Sequence, residues 1–550
     1  MNKVIISILG SAVISLSASA QCPAERDTLP KLDNSRYILT PPAPATPRIN
    51  GAKVFGARPG SKFLYRVPCT GDRPMKFTAT GLPKGLSIDP EKGLITGVAK
   101  KEGVYPVTIK ASNAKGETER ILTIKIGDEV ALTPPLGWSS WNCWGLLIDE
   151  SLVMETMASM VDNDLVNYGW SYVNIDDGWQ GVRGGKYMGI QPNPEKFPDM
   201  KAMADKLHSE GLRLGIYSAP WVGTYAGFIG SYCDNPDGKY EWTQRDSVGE
   251  KQTKGIFMTP EYQENWPARY YNWKNAKYSF VENDVKQWQD WGVDYLKYDW
   301  TPNQLFYVKE MIDALRKTDR DILFGMSNAA HWGDAPQWAR FPNCYRTTGD
   351  IRDTWNNMSR IGFEQQDKWA PFNVPGHWAD ADMMVIGVVG WDGELHHSRL
   401  TPDEQYTHVS LWTILASPMF LGCDMQQLDD FTLSLLRNNE IIDVHQDPLG
   451  YQGVPFFKDS RSVVYAKPLE DGSMAVGLFN YGDAPLDMTI SPSDFGIRGM
   501  QKIRDLWRQK DVWEKEAKEK FTANVPSHGV VMIKIYPGNN RGEEPDGKIY

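Results

Sequence analysis

A chain of 550 residues with 41% hydrophobic and 23% charged residues is too long for one ordinary domain and too apolar to be disordered, so about three domains are expected. Its formal net charge of -10 excludes nucleic acid or an anionic membrane surface as the main partner, because both demand a basic face. Most of its 21 tryptophans belong in a core, and any left over are natural platforms for the apolar faces of sugars.

Residues 1–20 carry Lys3, an apolar run from Val4 to Leu16 and Ala18-Ser19-Ala20 before Gln21, the pattern of a cleaved export signal rather than a membrane span. Cys22 follows at once, but Gln21 does not fit the small residue expected before a lipidated cysteine, so the expectation is a periplasmic or secreted protein with no membrane span. The six cysteines, Cys22, Cys69, Cys143, Cys233, Cys344 and Cys423, are dispersed, admit fifteen complete pairings and show no CxxC spacing of a structural zinc site. Residues 21–50 include Pro41-Pro42-Ala43-Pro44-Ala45-Thr46-Pro47 and read as an extended linker.

Over residues 51–128 the pattern alternates. Val107, Ile109 and Ala111 oppose Thr108 and Lys110, and Leu122, Ile124 and Ile126 oppose Thr123 and Lys125. Turn residues divide these runs, which predicts a small β-sandwich.

Residues 129–448 change rhythm to short apolar strands followed by helical spacing, the signature of βα units. Strands are expected at Leu136 to Trp141, Tyr172 to Ile175, Leu212 to Tyr217, Val293 to Tyr298, Ile322 to Met326, Tyr345 to Thr347, Met383 to Ile386 and Met419 to Leu421. Asp199 and Asn303 stand where two helices would begin, and Gly211 and Gly292 where helices would end. Eight strands predict a (β/α)8 barrel with its site at the carboxyl ends. Residues 449–538 return to strands, predicting a C-terminal antiparallel β-sandwich, and residues 539–550 form a polar tail.

The chemistry-bearing residues cluster after the barrel strands. Val293-Asp294-Tyr295-Leu296-Lys297-Tyr298-Asp299 delivers a lysine and a carboxylate to one strand face, and Arg346-Thr347-Thr348-Gly349-Asp350 places a second carboxylate four residues after an arginine. Two such acids are what glycosidic-bond cleavage requires. Asp176 and Asp177 end another strand, and spacing alone leaves metal or sugar hydroxyls as their ligand. The nearby Lys297, Arg346 and tryptophans favour hydroxyls, so no metal and no cofactor is expected. His396-His397 forms no metal cluster, since adjacent side chains point apart.

These motifs resemble glycoside hydrolase family 27, the α-galactosidases and α-N-acetylgalactosaminidases. The resemblance rests on Pro135-Leu136-Gly137-Trp138-Ser139-Ser140-Trp141-Asn142, Ile175-Asp176-Asp177-Gly178-Trp179, Leu214-Gly215-Ile216-Tyr217, Leu296-Lys297-Tyr298-Asp299, Arg346 to Ile351, and Asp382-Met383 after Trp378. It extends to His445-Gln446-Asp447-Pro448-Leu449-Gly450 and Pro526 to Val531. Gly81 to Asp89, Gly93 to Gly97 and Ala111 to Gly116 likewise resemble immunoglobulin-like modules appended to bacterial secreted enzymes, either as a spacer or as a glycan-binding unit.

By the family resemblance, Asp299 is the nucleophile and Asp350 the acid/base of a retaining exo-α-galactosidase. Asp176 is implied to bind the 6-hydroxyl, Asp177 and Lys297 the axial 4-hydroxyl side, and Trp141 the apolar sugar face, with Tyr217, Arg346 and Asp382 around them. The sequence departs from the family at Ser327 to Gly333, where His331 stands for a glutamate that reads the 2-substituent. It departs again at Ala219-Pro220-Trp221 and Thr301, where both partners of a family disulfide are absent. Trp221, Tyr225 and Trp300 would then reshape the rim, and the long aromatic span Ser231 to Tyr278 would wall the leaving group. The alternatives are a β-L-arabinopyranosidase, an α-N-acetylgalactosaminidase or, outside enzymes, a carbohydrate-binding protein that has lost catalysis.

Overall fold

In the computed structural model the described residues are 28–240 and 275–537, apart from Asn328 and Asp392. The expected export signal, Cys22, the expected polar tail and the middle of the aromatic span lie outside them.

Eight parallel strands form one curled sheet in chain order: β1 (Leu136–Ser139), β2 (Tyr172–Asn174), β3 (Arg213–Ser218), β4 (Val293–Asp299), β5 (Leu323–Ser327), β6 (Cys344–Arg346), β7 (Trp378–Asp380) and β8 (Met419–Leu421). β8 pairs with β1, and a parallel bridge between Met384 and Leu421 closes the ring beyond β7. The seventh strand corrects the expected Met383 to Ile386. Asp382 sits at φ 80°, in the left-handed region that interrupts extended chain, so the strand ends before it and only Met384 rejoins the sheet.

Inside the barrel the ring centroids of Tyr172 and Tyr295 lie 5.9 Å apart, and those of Tyr295 and Phe420 5.2 Å apart. Neighbouring strands make room for such groups with glycines. A Cβ on Gly325 would stand 2.0 Å from the Tyr295 hydroxyl, and one on Gly215 1.9 Å from Asn174 Oδ1. The two-residue period of β4 then puts Tyr295, Lys297 and Asp299 on the inner face, from the packed floor up to the open end.

The outer helices follow the expected boundaries. Asp199 caps Met200–Ser209 through Ala202 N, and Gly292, at φ 91°, ends Val281–Trp291. Asn303 does not cap its helix; its amide donates to the carbonyls of Trp300 (2.7 Å) and Ser327 (3.1 Å), tying the ends of β4 and β5 together. Helix Pro402–Leu415, with a Thr401/Glu404 capping box, is buried beneath the C-terminal sandwich. That sandwich has a six-stranded and a two-stranded sheet and grips the helix at Trp507 Nε1 to Ser410 Oγ (2.9 Å).

The N-terminal sandwich packs a four-stranded sheet on a three-stranded one around Phe63, Phe77, Ile95, Val107 and Ile124. It docks on the amino-terminal end of the barrel. Arg58 pairs with Asp321 at 2.7 Å just before β5 and donates to the Arg316 carbonyl at 2.8 Å, while Lys92 reaches Glu210 at 2.8 Å just before β3. The module therefore lies opposite the strands' carboxyl ends. Residues 28–40 run along the barrel flank, where the Tyr406 hydroxyl donates to Tyr37 O (2.7 Å) and Asn438 to Thr40 Oγ1 (3.1 Å). Among the described residues Cys69, Cys143, Cys233, Cys344 and Cys423 are buried, and no helix is long and apolar enough to cross a membrane.

Candidate active site

The carboxyl end of β4 is the organising point. Lys297 Nζ lies 2.8 Å from Asp176 Oδ2 and 3.9 Å from Asp299 Oδ2. The register aligns Tyr217 of β3 with Lys297, and the Tyr217 hydroxyl donates to Asp299 Oδ2 at 3.2 Å. Asp299 Oδ1 is buried and has no hydrogen-bond partner among the described residues. A buried carboxylate oxygen left bare is costly, and here it is the oxygen not committed to Tyr217. Burial pushes the Asp299 carboxyl up to about 6, against the opposing pull of Lys297 and Arg346.

Asp176 and Asp177 follow β2 and are almost wholly buried. Asp176 receives Asp177 N at 2.9 Å on Oδ1, and Asp177 Oδ2 receives Ala226 N at 2.9 Å. Burial pushes Asp177 up to about 7, so it holds its proton longer than an ordinary carboxyl.

Two strands along the sheet, Arg346 at the end of β6 forks between two acids, reaching Asp350 Oδ1 at 2.8 Å and Asp382 Oδ1 at 3.0 Å. Asp382 Oδ2 accepts from Ile351 N at 2.7 Å, so a single carboxylate fixes both the arginine and the loop after Asp350. The Asp350 side chain itself is 66% exposed. Partial desolvation in the cleft pushes its carboxyl up, and the Arg346 guanidinium, by charge and hydrogen bond, more than reverses this and holds it below the ordinary range. The Asp350 charge adds to the upward push on Asp299.

The structure thus brings together Asp176, Asp177, Tyr217, Lys297, Asp299, Arg346, Asp350 and Asp382. Trp141 stands after β1, packed on Leu146, Ala226 and Phe228 and partly exposed. His331 follows β5 on an exposed turn; its side chain is 74% exposed and its ring lies 3.3 Å from Asp334, with no contact to the acids. Of the aromatics expected at the rim, Trp221 and Tyr225 meet edge to face at 5.1 Å. Trp300 is fully buried against Tyr298 and does not reach the rim.

One site group was missed. Asp380, the last residue of β7, is buried, accepts from Asp382 N at 2.8 Å and is pushed up to about 6 by burial. The signal was available in Trp378-Ala379-Asp380-Ala381-Asp382, two acids at strand spacing, but the misplaced seventh strand hid it.

Residues 133–243 and 268–447 match the family model of alpha galactosidase A, residues 459–535 the alpha galactosidase C-terminal beta sandwich domain, and residues 46–127 an Ig domain. Alpha-galactosidase 2 of Arabidopsis thaliana is 32% identical over 77% of this chain and 93% of its own. A crystal structure from Bacteroides fragilis matches with a TM-score of 0.76 and 31% identity over 91% of this chain and 99% of that one. A family 27 β-L-arabinopyranosidase from Geobacillus stearothermophilus matches with a TM-score of 0.60 and 26% identity over 75% and 98%. With paired carboxylates at strand ends, a carbohydrate substrate and these matches along its length, the chain belongs to the alpha-galactosidase A family of glycoside hydrolases.

Proposed function

We propose that the protein is an exported, retaining exo-α-galactosidase that removes terminal α-linked galactose, with Asp299 as nucleophile and Asp350 as acid/base. The observation that carries this is that Asp299 is a buried carboxylate whose Oδ1 has no hydrogen-bond partner among the described residues, and that Asp350 acts on it electrostatically. Asp299 attacks the anomeric carbon, and the C–O bond to the leaving group breaks as Asp350 gives its proton to the departing oxygen. Asp350 then takes a proton from water, which opens the glycosyl ester and restores Asp299.

By their protein surroundings alone the two acids are tuned against these roles, since Asp299 is raised and Asp350 lowered. Both causes yield to substrate. Asp299 is raised because it is buried with one oxygen unpaired, and a sugar hydroxyl donating there stabilises the carboxylate. Asp350 is lowered by Arg346. A sugar that shares the arginine moves the proton toward Asp350, the dyad titrating as a pair.

Asp176 with Lys297 forms the charged corner for the exocyclic 6-hydroxyl, which favours galactose over the arabinopyranose preferred by the Geobacillus relative. Trp141 offers the apolar sugar face, and Asp177, Tyr217, Arg346 and Asp382 line the remainder. His331, the residue implied to read the 2-position, turns to Asp334, so it gives no support for an N-acetylgalactosaminide. Hydrolysis of para-nitrophenyl α-galactoside, followed by NMR of the first-formed sugar, tests the reading: α-galactose is expected. First-formed β-galactose rejects the retaining mechanism. Preference for the arabinopyranoside or the N-acetylgalactosaminide rejects the sugar assignment, and no release from any of the three rejects the exo-glycosidase reading.

A further inference from the structure

Among the described residues the pair His396-His397 belongs to no cluster of metal-ligating side chains, and it stands beside the loop that carries Asp350. His396–His397 pairs with Val388–Val389 as a short antiparallel hairpin beyond β7. From it, His396 Nε2 meets Asp353 Oδ2 at 3.0 Å, and Arg399 N donates to the same oxygen at 3.0 Å. Asp353 is three residues after Asp350 and its side chain is 1% exposed. Its Oδ1 has no hydrogen-bond partner among the described residues and faces the Arg399 guanidinium at 3.8 Å. The hairpin thus supplies the donors and the countercharge that make burial of this carboxylate tolerable, and the loop cannot leave it without exposing or stranding that charge.

The hairpin is itself tied down on two sides. Gly390 N donates to Asn142 O at 3.1 Å and Gly393 N to Cys143 O at 3.0 Å, joining it to the turn after β1. His397 Nε2 meets the Pro30 carbonyl at 2.7 Å. A second bond between loop and hairpin is the Arg352 guanidinium 4.8 Å from the Trp391 ring centroid. Asp350 is thus held at three points: Arg346 at its own carboxylate, Asp382 at Ile351 N, and Asp353 on the hairpin. Three residues span at most about 11 Å, so an anchor at Asp353 limits where the Asp350 carboxyl can go.

We propose that Asp353 and His396 are positioning residues for acid catalysis. They clamp the acid/base loop so that Asp350, exposed and on a loop, is presented to the departing oxygen. This rests on the reading of Asp350 as the acid/base. The clamp acts on proton delivery and leaves Asp299 attack untouched, so its loss should be felt where the leaving group needs a proton and not where it departs unaided.

The test compares kcat/KM for an α-galactosyl disaccharide with that for 2,4-dinitrophenyl α-galactoside in Asp353→Asn, with Asp350→Ala as control. Asp353→Asn is expected to lower the disaccharide value by about 10- to 100-fold, the scale of a misplaced catalytic group, and to change the dinitrophenyl value by less than about threefold. Equal loss on both substrates, or loss on neither, overturns the clamp. If Asp350→Ala shows no preference for the activated substrate, the acid/base reading itself has failed, and the two failures are separate. Should Asp353→Asn not fold, His396→Ala against His396→Gln carries the test. A selective disaccharide loss in the alanine variant that glutamine recovers supports the clamp, and a loss unselective in both overturns it.

Discussion

The two walls of the cleft are built differently. On the β4 side Lys297, Asp299, Asp176 and Tyr217 are strand residues or lie within two residues of a strand, are mostly buried, and bond to one another directly. On the β5–β6 side Asp350 and His331 stand on exposed connections, at 66% and 74% side-chain exposure, and Asp350 owes its place to Arg346, Asp382 and Asp353. A nucleophile must meet one carbon along one line, and a rigid strand end provides that. An acid must reach an oxygen that then leaves with whatever is attached to it, so its wall has to stay open. The difference predicts that substitutions on the first wall cut the rate for every substrate, and those on the second according to the leaving group.

The largest effect is expected from Asp299→Ala, which should reduce kcat by more than about 10,000-fold, as loss of a nucleophile does, with circular dichroism unchanged. Added azide should recover turnover and yield the β-galactosyl azide, detectable by NMR. Full activity in a folded variant would remove Asp299 from the chemistry. Next is Lys297→Met. The lysine charge lowers the Asp299 pKa against burial, so without it Asp299 stays protonated to higher pH. With Asp299 raised and Asp350 lowered, the reactive form of the free enzyme, Asp299 ionised and Asp350 protonated, is a minor one bounded above by the Asp299 titration. So kcat/KM should fall with pH through about 6 in the native protein, and this limb should move up by about one unit or more in the variant, with a loss of about 100-fold on the plateau below it. A pH–rate profile with an unmoved limb would separate Lys297 from Asp299. Asp382→Asn comes third: it keeps the shape but removes the charge facing Arg346 and weakens the acceptor for Ile351 N. A loss of about 10-fold and a lower Tm are expected, and the dinitrophenyl substrate should suffer less than the disaccharide.

The first wall was legible in the sequence and the second only partly. Lys297 and Asp299 share strand parity, and parity alone places them on one face. The barrel was readable from its apolar runs wherever those runs coincide with the sheet. It failed at β7, because Trp378-Ala379-Asp380 carries an acid at its end while Met383 to Ile386 is the more apolar run. The latter is buried as well, but Asp382 at φ 80° turns the chain between them, and backbone turns of that kind leave little trace in hydropathy. Trp300 misled for the opposite reason: it neighbours Asp299 in sequence, and strand alternation sends it to the outer side. The docking of the N-terminal sandwich on the far end of the barrel was not readable either, since Arg58, Lys92, Asp321 and Glu210 are ordinary surface charges until the fold pairs them. That docking leaves the module without contact to the cleft, so its removal should be read in stability rather than in kcat.

His331→Ala is the smallest effect and the sharpest test of the open wall. If the exposed turn after β5 leaves the 2-position unread, removing a ring whose side chain is 74% exposed and paired with Asp334 changes only a solvated contact, worth about 0.5 kcal/mol or less. On that basis kcat/KM for the α-galactoside should change by no more than about twofold, and the ratio to the N-acetylgalactosaminide should stay where it was. A tenfold loss confined to the galactoside would mean that the ring swings from Asp334 onto the 2-hydroxyl when substrate binds. The loop wall would then share the strand wall's role in recognising the sugar, and the division between the two walls would hold for the proton alone.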